Sequence, residues 1–135
     1  MIYLLDTNIC VRYLRGTDRQ QLEARLNATS FGDVALCSVV KAELLYGAAR
    51  SQQPERNQAQ LQRFFSGFPS LSFDDQAAAA YGTLRAALEA SGTPIGPNDL
   101  MIAAIALASG LVLVTHNTAE FSRVPGLQIE DWQVP

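Results

Sequence analysis

The chain is poor in residues that define several common protein classes. Its 135 residues include two cysteines, one histidine and one lysine. Cys10 and Cys37 stand in apolar surroundings and lack the spacing of metal ligands, so we expect reduced core residues in a cytoplasmic protein and no zinc site. The single histidine, His116, excludes catalysis by a histidine pair, and we interpret it as a loop residue.

Long hydrophobic segments are also missing. The longest apolar run, Leu100–Ala108, is too short to span a bilayer. The first residues, MIYLLDTN, contain no basic stretch and reach Asp6 too early for a signal peptide. We therefore expect a protein without membrane contact.

The remaining composition is typical of one globular domain. Hydrophobic residues make up 48% and charged residues 17% of the chain, which supplies enough apolar surface for a core and excludes a disordered chain. The sequence has no internal repeat, low-complexity tract or linker. Residues 1–135 are therefore predicted to form a single domain.

Apolar runs alternate with amphipathic segments along the chain, and this alternation predicts the fold. We predict strands at 2–5, 34–38, 71–73, 111–115 and 127–130. We predict helices at 8–15, 18–28, 39–51, 55–68, 75–91, 97–109 and 118–122. Their predicted caps include Thr17 or Asp18, Ser38, and Asp74 or Asp75. Apolar strands that alternate with helices indicate an α/β fold, with a central parallel sheet of four to five strands and helices on both faces.

Polar residues stand where two of these strands end. Asp6 follows the first strand directly, and Thr115, His116 and Asn117 stand at the end of the fourth. In an open parallel sheet, ligands bind beyond the carboxyl ends of the strands, so these residues are predicted to share one functional edge. Asp6 has a simpler alternative role as the cap of the first helix.

A second aspartate stands in the first turn of an apolar helix. If Gly96 is the N-cap and Pro97 the first helical residue, Asp99 occupies the third position and gains about 0.3–1 kcal/mol from the helix dipole. Its neighbours on the same face are apolar, however, whereas a capping acid more often faces water. Asp99 is therefore either a cap alone or part of a shared polar pocket.

Two glutamates complete the candidate set. Glu43 lies inside a helix on a stripe that we interpret as core-facing, formed with Val39, Val40, Tyr46 and Gly47. A buried glutamate needs a partner, which is either an arginine such as Arg85 or a shared site. Glu120 is either a surface acid or a member of the same site, if the loop after Thr115 folds back.

Acids that meet in one place need a neutralising charge. Two carboxylates about 5 Å apart repel by roughly 3 kcal/mol at an effective dielectric constant of 20. A cluster made only of oxygen ligands selects hard divalent ions such as Mg²⁺ or Mn²⁺. The sequence therefore favours a magnesium-type site over a zinc site.

Four segments, in order, resemble the motifs of a PIN domain. They are LLDTNICVRYL at 4–14, SVVKAELLYGA at 38–48, GPNDLMIAAIA at 96–106 and LVTHNTAEFSRVPGLQIEDW at 113–132. The resemblance covers nearly the whole chain. Within the PIN domains, the segments resemble more specifically the VapC ribonuclease toxins of type II toxin–antitoxin systems. This resemblance implies a PIN-like three-layer sandwich.

The resemblance also implies roles for individual residues. Asp6, Glu43 and Asp99 would gather at one metal site. Asp6 and Asp99 would hold Mg²⁺, for which Mn²⁺ would substitute. Family members often have a fourth acid after the last core strand, where this chain has Asn117 and, three residues later, Glu120. The expected catalytic set is Asp6, Glu43, Asp99 and Glu120. The expected supporting polar residues are Thr7, Asn8, Thr115 and Asn117.

The activity implied by the resemblance is metal-dependent cleavage of RNA. Water activated at the metal would attack the scissile phosphate, and Glu43 would orient or deprotonate that water. The C-terminal segment and the GPND turn look like the VapC branch that cuts initiator tRNA in the anticodon stem-loop, which would inhibit translation. The resemblance further implies a VapB-type antitoxin as partner and a homodimer.

The charge distribution permits an RNA substrate although the net charge is −3. Of the 13 acids, four belong to the expected catalytic set, so nine remain against ten bases and the balance elsewhere is +1. Arginine, which supplies nine of those ten bases, favours bidentate contact with phosphate. The candidate substrate contacts are Arg12, Arg15, Arg50 and Arg123.

Other interpretations fit less well. A haloacid-dehalogenase-type phosphatase needs a second aspartate where this chain has Asn8, and a receiver domain needs a lysine after a late strand, whereas Lys41 is early. A PIN-type module that binds RNA or antitoxin without cutting stays open because of Asn117. Apolar residues that either line an antitoxin groove or belong to the core are Ile9, Tyr13, Phe64, Phe65 and Phe68.

Overall fold

The computed structural model of the chain describes residues 1–30 and 32–134. In chain order, its strands are β1 (Tyr3–Leu5), β2 (Val34–Cys37), β3 (Ser70–Leu71), β4 (Val112–Val114) and β5 (Ile129–Glu130). Its helices are α1 (Thr7–Arg15), α2 (Gln20–Ala28), α3 (Ser38–Ala49), α4 (Pro54–Phe65), α5 (Asp75–Ala90), α6 (Pro97–Ser109) and α7 (Thr118–Phe121).

The five strands form one parallel sheet in the order β3-β2-β1-β4-β5. The chain moves outward from β1 through β2 to β3, and then crosses back to place β4 on the other side of β1. Because parallel crossovers are right-handed, this reversal places helices on both faces of the sheet. The predicted α/β architecture is confirmed, and its switch point lies between β1 and β4.

The core is built from the central strands and from α6. Leu4, Leu5 and Leu113 are completely buried in the sheet, as expected for strands covered on both faces. Helix α6 contributes a continuous buried segment from Ile102 to Ala106. Both cysteines are free and buried, which agrees with the sequence prediction. In the part of the chain that the structure describes, no helix is long and apolar enough to cross a membrane.

Two predicted helix starts are wrong. Helix α2 begins at Gln20 with Arg19 as its N-cap, and neither Thr17 nor Asp18 caps it. Arg19 makes no capping hydrogen bond, and its side chain instead forms an ion pair with Glu23 and lies over the ring of Tyr13.

The predicted cap of α3 is also misplaced, by one residue. The N-cap is Cys37, and Ser38 is the first helical residue. The hydroxyl of Ser38 donates to the carbonyl oxygen of Leu71 at 3.3 Å, which ties the end of β2 to the end of β3. The Asp74 alternative for α5 is confirmed, since its carboxylate accepts a hydrogen bond from the amide of Ala77.

Helix α4 ends earlier than predicted, within its aromatic C-terminal segment. The helix ends at Phe65 rather than at Phe68, because Gly67 follows within two residues and the chain turns there into β3. The rings of Tyr13, Phe64 and Phe68 pack in a half-buried aromatic cluster. Phe65 and Ile9 are instead buried in the core, so they do not line a surface groove.

Candidate active site

Asp6 lies at the switch point of the sheet, directly after β1. It is the N-cap of α1, and its Oδ1 accepts a hydrogen bond from the amide of Ile9 at 2.9 Å. Among the described residues it is one of two buried polar residues, and the other is Thr115, which follows β4. Burial raises the pKa of Asp6, and a hydrogen bond with Thr115 lowers it in part. Capping and membership of a polar site are therefore compatible roles for Asp6.

Glu43 approaches the site from α3. The hydroxyl of Thr7, in the first turn of α1, donates to its Oε1 at 2.5 Å. Glu43 is half-buried, whereas Tyr46 on the same side of the helix is 67% exposed. The stripe predicted to face the core is thus divided: Val39 and Val40 are buried, whereas Tyr46 and Gly47 are exposed at the other end of the stripe.

The alternative partner of Glu43 is excluded by the contacts of the basic side chains. Arg85 forms an ion pair with Glu89 and a hydrogen bond with Tyr81. The amine of Lys41 lies over the ring of Phe65, 5.1 Å from its centroid. Within residues 1–30 and 32–134, no arginine or lysine forms an ion pair with Glu43.

Asp99 and Glu120 face each other at the start of α6. Gly96 caps this helix and Asp99 stands in its first turn, as predicted. Glu120 folds back from α7, and its Oε1 accepts a hydrogen bond from the amide of Gly96 at 3.1 Å. Its Oε2 accepts another from the side-chain amide of Asn117 at 2.6 Å. The loop after β4 therefore brings both Asn117 and Glu120, the two candidates for the fourth acid of the family, to the site.

The electrostatics show that the four acids interact. The pKa of Asp99 is raised from 3.8 to about 6, first by burial and then by the charges of Glu120, Glu43 and Asp6. The negative charge of Glu43 also raises the pKa of Asp6. The helix dipole at the start of α6 would stabilise a charged Asp99, but desolvation and like charges outweigh it.

These donors suit a hard divalent cation. Among the described residues, no three histidine, cysteine or acidic side chains come close enough to hold one ion together. Magnesium in proteins is commonly bound by one or two carboxylates and completes its shell with water and phosphate oxygens. A half-buried Asp99 surrounded by acids, with Asp6 beside them, has the chemistry of such a site.

Sequence reasoning missed a fifth acid, Asp131, which follows β5. Its Oδ2 lies 2.9 Å from Nδ1 of His116, and its Oδ1 accepts from the amide of Gln133. Its charge also raises the pKa of Asp6. The rule that found Asp6, an acid directly after a strand, would have found Asp131 as well.

The four candidate arginines are distributed unequally. Arg12 and Arg15 line a cavity of about 440 Å³ with Asn8, His116 and Asn117. A second cleft, of about 520 Å³, lies beside it and is lined by Thr7, Arg15, Glu43 and Arg50 among others. Arg123 instead donates to the carbonyl oxygen of Pro94, which ties the loop before α6 to α7.

Comparison with known proteins agrees with this fold. Residues 3–127 match the PIN domain family model. The chain is 45% identical over 130 residues to a tRNA(fMet)-specific endonuclease VapC from Shigella flexneri, covering 96% of this chain and 97% of that protein. It is 42% identical to a ribonuclease VapC2 from Rickettsia felis, with 98% of each chain covered. A solved structure of DNA-bound VapBC from Salmonella typhimurium superposes with a TM-score of 0.92 at 42% identity over 98% of each chain. The chain therefore belongs to the PIN-domain family and, within it, to the VapC group.

Proposed function

We propose that this protein is a metal-dependent endoribonuclease and the toxin of a VapBC toxin–antitoxin module. The observation that carries the proposal is the acid cluster at the switch point, defined as Asp6, Glu43, Asp99 and Glu120. Burial and the neighbouring acids raise the pKa of Asp6 and of Asp99, and the cluster has no basic partner among the described residues. The repulsion between these charges opposes folding, so we assign the cluster to the reaction.

Each acid has a distinct role in this proposal. Asp6 and Asp99 hold Mg²⁺, or Mn²⁺ in its place. When bound there, the metal would supply charge stabilisation at the scissile phosphate and would lower the pKa of the attacking water. Glu43, held by the hydroxyl of Thr7 at 2.5 Å, orients or deprotonates that water. Glu120 acts through its position beside Asp99, which Asn117 and the Gly96 amide fix.

The proposed substrate is tRNA. A relative that is 45% identical over almost the whole chain is named a tRNA(fMet)-specific endonuclease, which supports initiator tRNA as the substrate. We further propose a cut in the anticodon stem-loop and, as a consequence, inhibition of translation. The proposed protein partners are a VapB-type antitoxin and a second copy of the chain. Solved relatives are VapBC complexes from Salmonella typhimurium and Rickettsia felis, which supports the antitoxin.

A cleavage assay with purified, antitoxin-free protein tests the proposal. Initiator and elongator tRNA are incubated with Mg²⁺, Mn²⁺ or EDTA, and the ends of any fragments are mapped by sequencing. We expect one discrete cut in initiator tRNA that disappears with EDTA. Asp99→Asn should reduce the cleavage rate at least about a hundredfold because it removes a proposed ligand.

The matched control is Asp75→Asn, which removes an exposed acid from the first turn of α5 and should cut at the wild-type rate. Cleavage that persists in EDTA would contradict the metal dependence. A folded protein that binds RNA but cuts none with either metal would instead be a PIN-type binding module. Equal cleavage of initiator and elongator tRNA would contradict the proposed specificity but not the nuclease.

A further inference from the structure

The cavity of about 440 Å³ beside the acid cluster has a different chemical character from the cluster itself. Its polar lining consists of Asn8, Arg12, Arg15, His116, Asn117 and Gln133. Asn8 lies two residues after Asp6, and Asn117 binds both Glu120 and Thr115. The cavity therefore adjoins the acids that we assign to the reaction, on the side formed by α1 and the loop after β4.

Positive charge dominates this lining. Arg12 and Arg15 stand three residues apart on α1 and so share one side of the helix. Neither forms an ion pair or a side-chain hydrogen bond within the described part of the chain. Arg12 is half-buried and has no carboxylate partner among the described residues. Two arginines and no acid make the cavity suited to an anion.

Asp131, an acid that contacts the lining from outside, is held by two hydrogen bonds. Asp131 contacts His116 through one oxygen at 2.9 Å and the amide of Gln133 through the other. A carboxylate can only accept, so the hydrogen bond to His116 holds the imidazole in place at the rim of the cavity. Asp131 thus acts as a positioning residue for His116, and its charge, which also acts on Asp6, comes from outside the lining of the cavity.

We propose that this cavity, the α1 pocket, binds a backbone phosphate of the RNA strand next to the cleaved linkage, with Arg12 and Arg15 as its ligands. The inference rests on the proposed function, since the anion is part of the same substrate. A strand whose scissile phosphate lies at the acid cluster must continue past one side of it, and the α1 pocket supplies opposite charge at that place. Its volume exceeds what a single phosphate needs and accommodates the attached ribose as well.

Neutral linkages placed one at a time along the RNA test this assignment. Methylphosphonates replace single phosphates at successive positions on both sides of the mapped cut, in the anticodon stem-loop. Binding is measured with Asp99→Asn protein, which retains the RNA uncut, and cleavage with the wild type. We expect one position, near the cut but not at it, where the neutral linkage weakens binding about tenfold.

Coupling with the arginines identifies the pocket. In Arg12→Gln or Arg15→Gln on the same background, the all-phosphate RNA should bind about tenfold more weakly, and the neutral linkage at that position should have no further effect. The slope of the logarithm of the binding constant against the logarithm of the salt concentration should become shallower by about 0.7 for each phosphate contact that is lost. Arg63→Gln removes an exposed arginine from the last turn of α4 and should leave the effect of every linkage unchanged.

Each result separates the pocket from the proposed activity. If no position couples to Arg12 or Arg15 while the wild type still cuts, the pocket is wrong and the nuclease stands. If coupling is found in an RNA that the wild type never cuts, the pocket stands and the activity is wrong. If the arginine variants bind RNA normally but lose affinity for an acidic segment of the antitoxin, the pocket serves a protein partner and the inference is overturned.

Discussion

At the scale of single residues, Asp99 shows how a functional site opposes local stability. Its place in the first turn of α6 is worth about 0.3–1 kcal/mol to a charged side chain. A rise in pKa from 3.8 to about 6 corresponds to roughly 3 kcal/mol for a fully buried group, and to about half of that where solvent screens it. Desolvation and the neighbouring acids therefore outweigh the dipole, and the charged form of Asp99 destabilises the metal-free fold.

The stability of the metal-free protein should therefore depend on pH through Asp99. Because the folded state holds this proton more tightly than the unfolded state, the folded state binds more protons between about pH 4 and pH 6. The stability that Asp99 contributes through this proton is fully present below about pH 4 and is lost as the pH rises through about 6. We expect the free energy of unfolding in EDTA, measured with urea, to fall by on the order of 1 kcal/mol from pH 4.5 to 7.5.

Asp99→Asn should flatten this dependence, and above pH 6 it should be more stable than the wild type. Asp75→Asn, which removes an acid outside the cluster, should keep the slope of the wild type. A slope that is identical in the wild type and in Asp99→Asn would show that Asp99 does not carry the effect.

Thr7 gives a second prediction at the residue scale. Its hydroxyl donates to Glu43, and removing a hydrogen bond that orients a reacting side chain typically costs 10- to 100-fold in activity. Thr7→Val should lower kcat for RNA cleavage about tenfold and leave KM unchanged, because Glu43 is placed to act on water rather than to bind the strand.

Thr7→Ser keeps the hydroxyl and should restore most of the rate. The unfolding free energy of both variants should stay within about 1 kcal/mol of the wild type. An equal loss in the serine and valine variants would mean that packing of Thr7, and not its hydrogen bond, supports the reaction.

At the scale of elements, two glycines should respond in opposite ways to the same substitution. Gly110 ends α6 in the left-handed region at φ +67°, whereas Gly82 lies inside α5. An added Cβ meets no atom within 4 Å at either position, so backbone conformation alone decides the outcome. Gly110→Ala should lose about 1 kcal/mol of unfolding free energy, and Gly82→Ala should gain about 0.5–1 kcal/mol.

Urea denaturation of the two variants checks this, and Gly110→Asn is the matched control because asparagine tolerates the left-handed region. It should lose less than Gly110→Ala. A destabilised Gly82→Ala would show that α5 packs against something at that position.

The same scale shows what the sequence could and could not predict. Apolar runs bounded by polar caps located all five strands, and the order of strands and helices followed from them. Two helix starts were predicted wrongly. Helix α2 begins at Gln20 without a side-chain cap, and Ser38, the predicted cap of α3, instead forms a long-range hydrogen bond to Leu71 of β3. The periodicity of apolar residues placed Glu43 on a helix but did not predict its contact with Thr7. A periodic pattern does not distinguish a helix face buried in the core from one that lines a cleft.

The site was predictable to the extent that its acids follow strands or begin helices. Asp6 satisfies both a local rule, as the cap of a helix, and the rule of the sheet edge, whereas Asp99 was indicated by its place in the first turn of an apolar helix. Asp131 satisfies the edge rule too, but its strand, β5, has two residues and gives a weak signal. The return of Glu120 onto Asp99 depends on the loop after β4, which no periodic pattern describes.

At the scale of the whole molecule, the charges are separated rather than simply negative. Four of the 13 acids converge at the switch point, and the rest of the chain carries nine acids and ten bases, a balance of +1. The metal-free molecule therefore repels a phosphate at the place where the proposed reaction occurs. A divalent cation removes that repulsion and also the instability that the acids impose on the fold.

Mg²⁺ should consequently stabilise the protein, and more so at higher pH. Ligand at ten times its dissociation constant adds about 1.4 kcal/mol to the unfolding free energy, which raises Tm by about 3–6 °C for a domain of this size. Because protons and metal compete for Asp99, whose pKa is about 6, the gain should be small at pH 5 and near its maximum at pH 7.5.

Asp99→Asn should show little gain at either pH, and KCl at matched ionic strength should not reproduce the effect in the wild type. A rise in Tm that is equal in wild type and Asp99→Asn, or independent of pH, would mean that Mg²⁺ acts by general screening and not at the acid cluster.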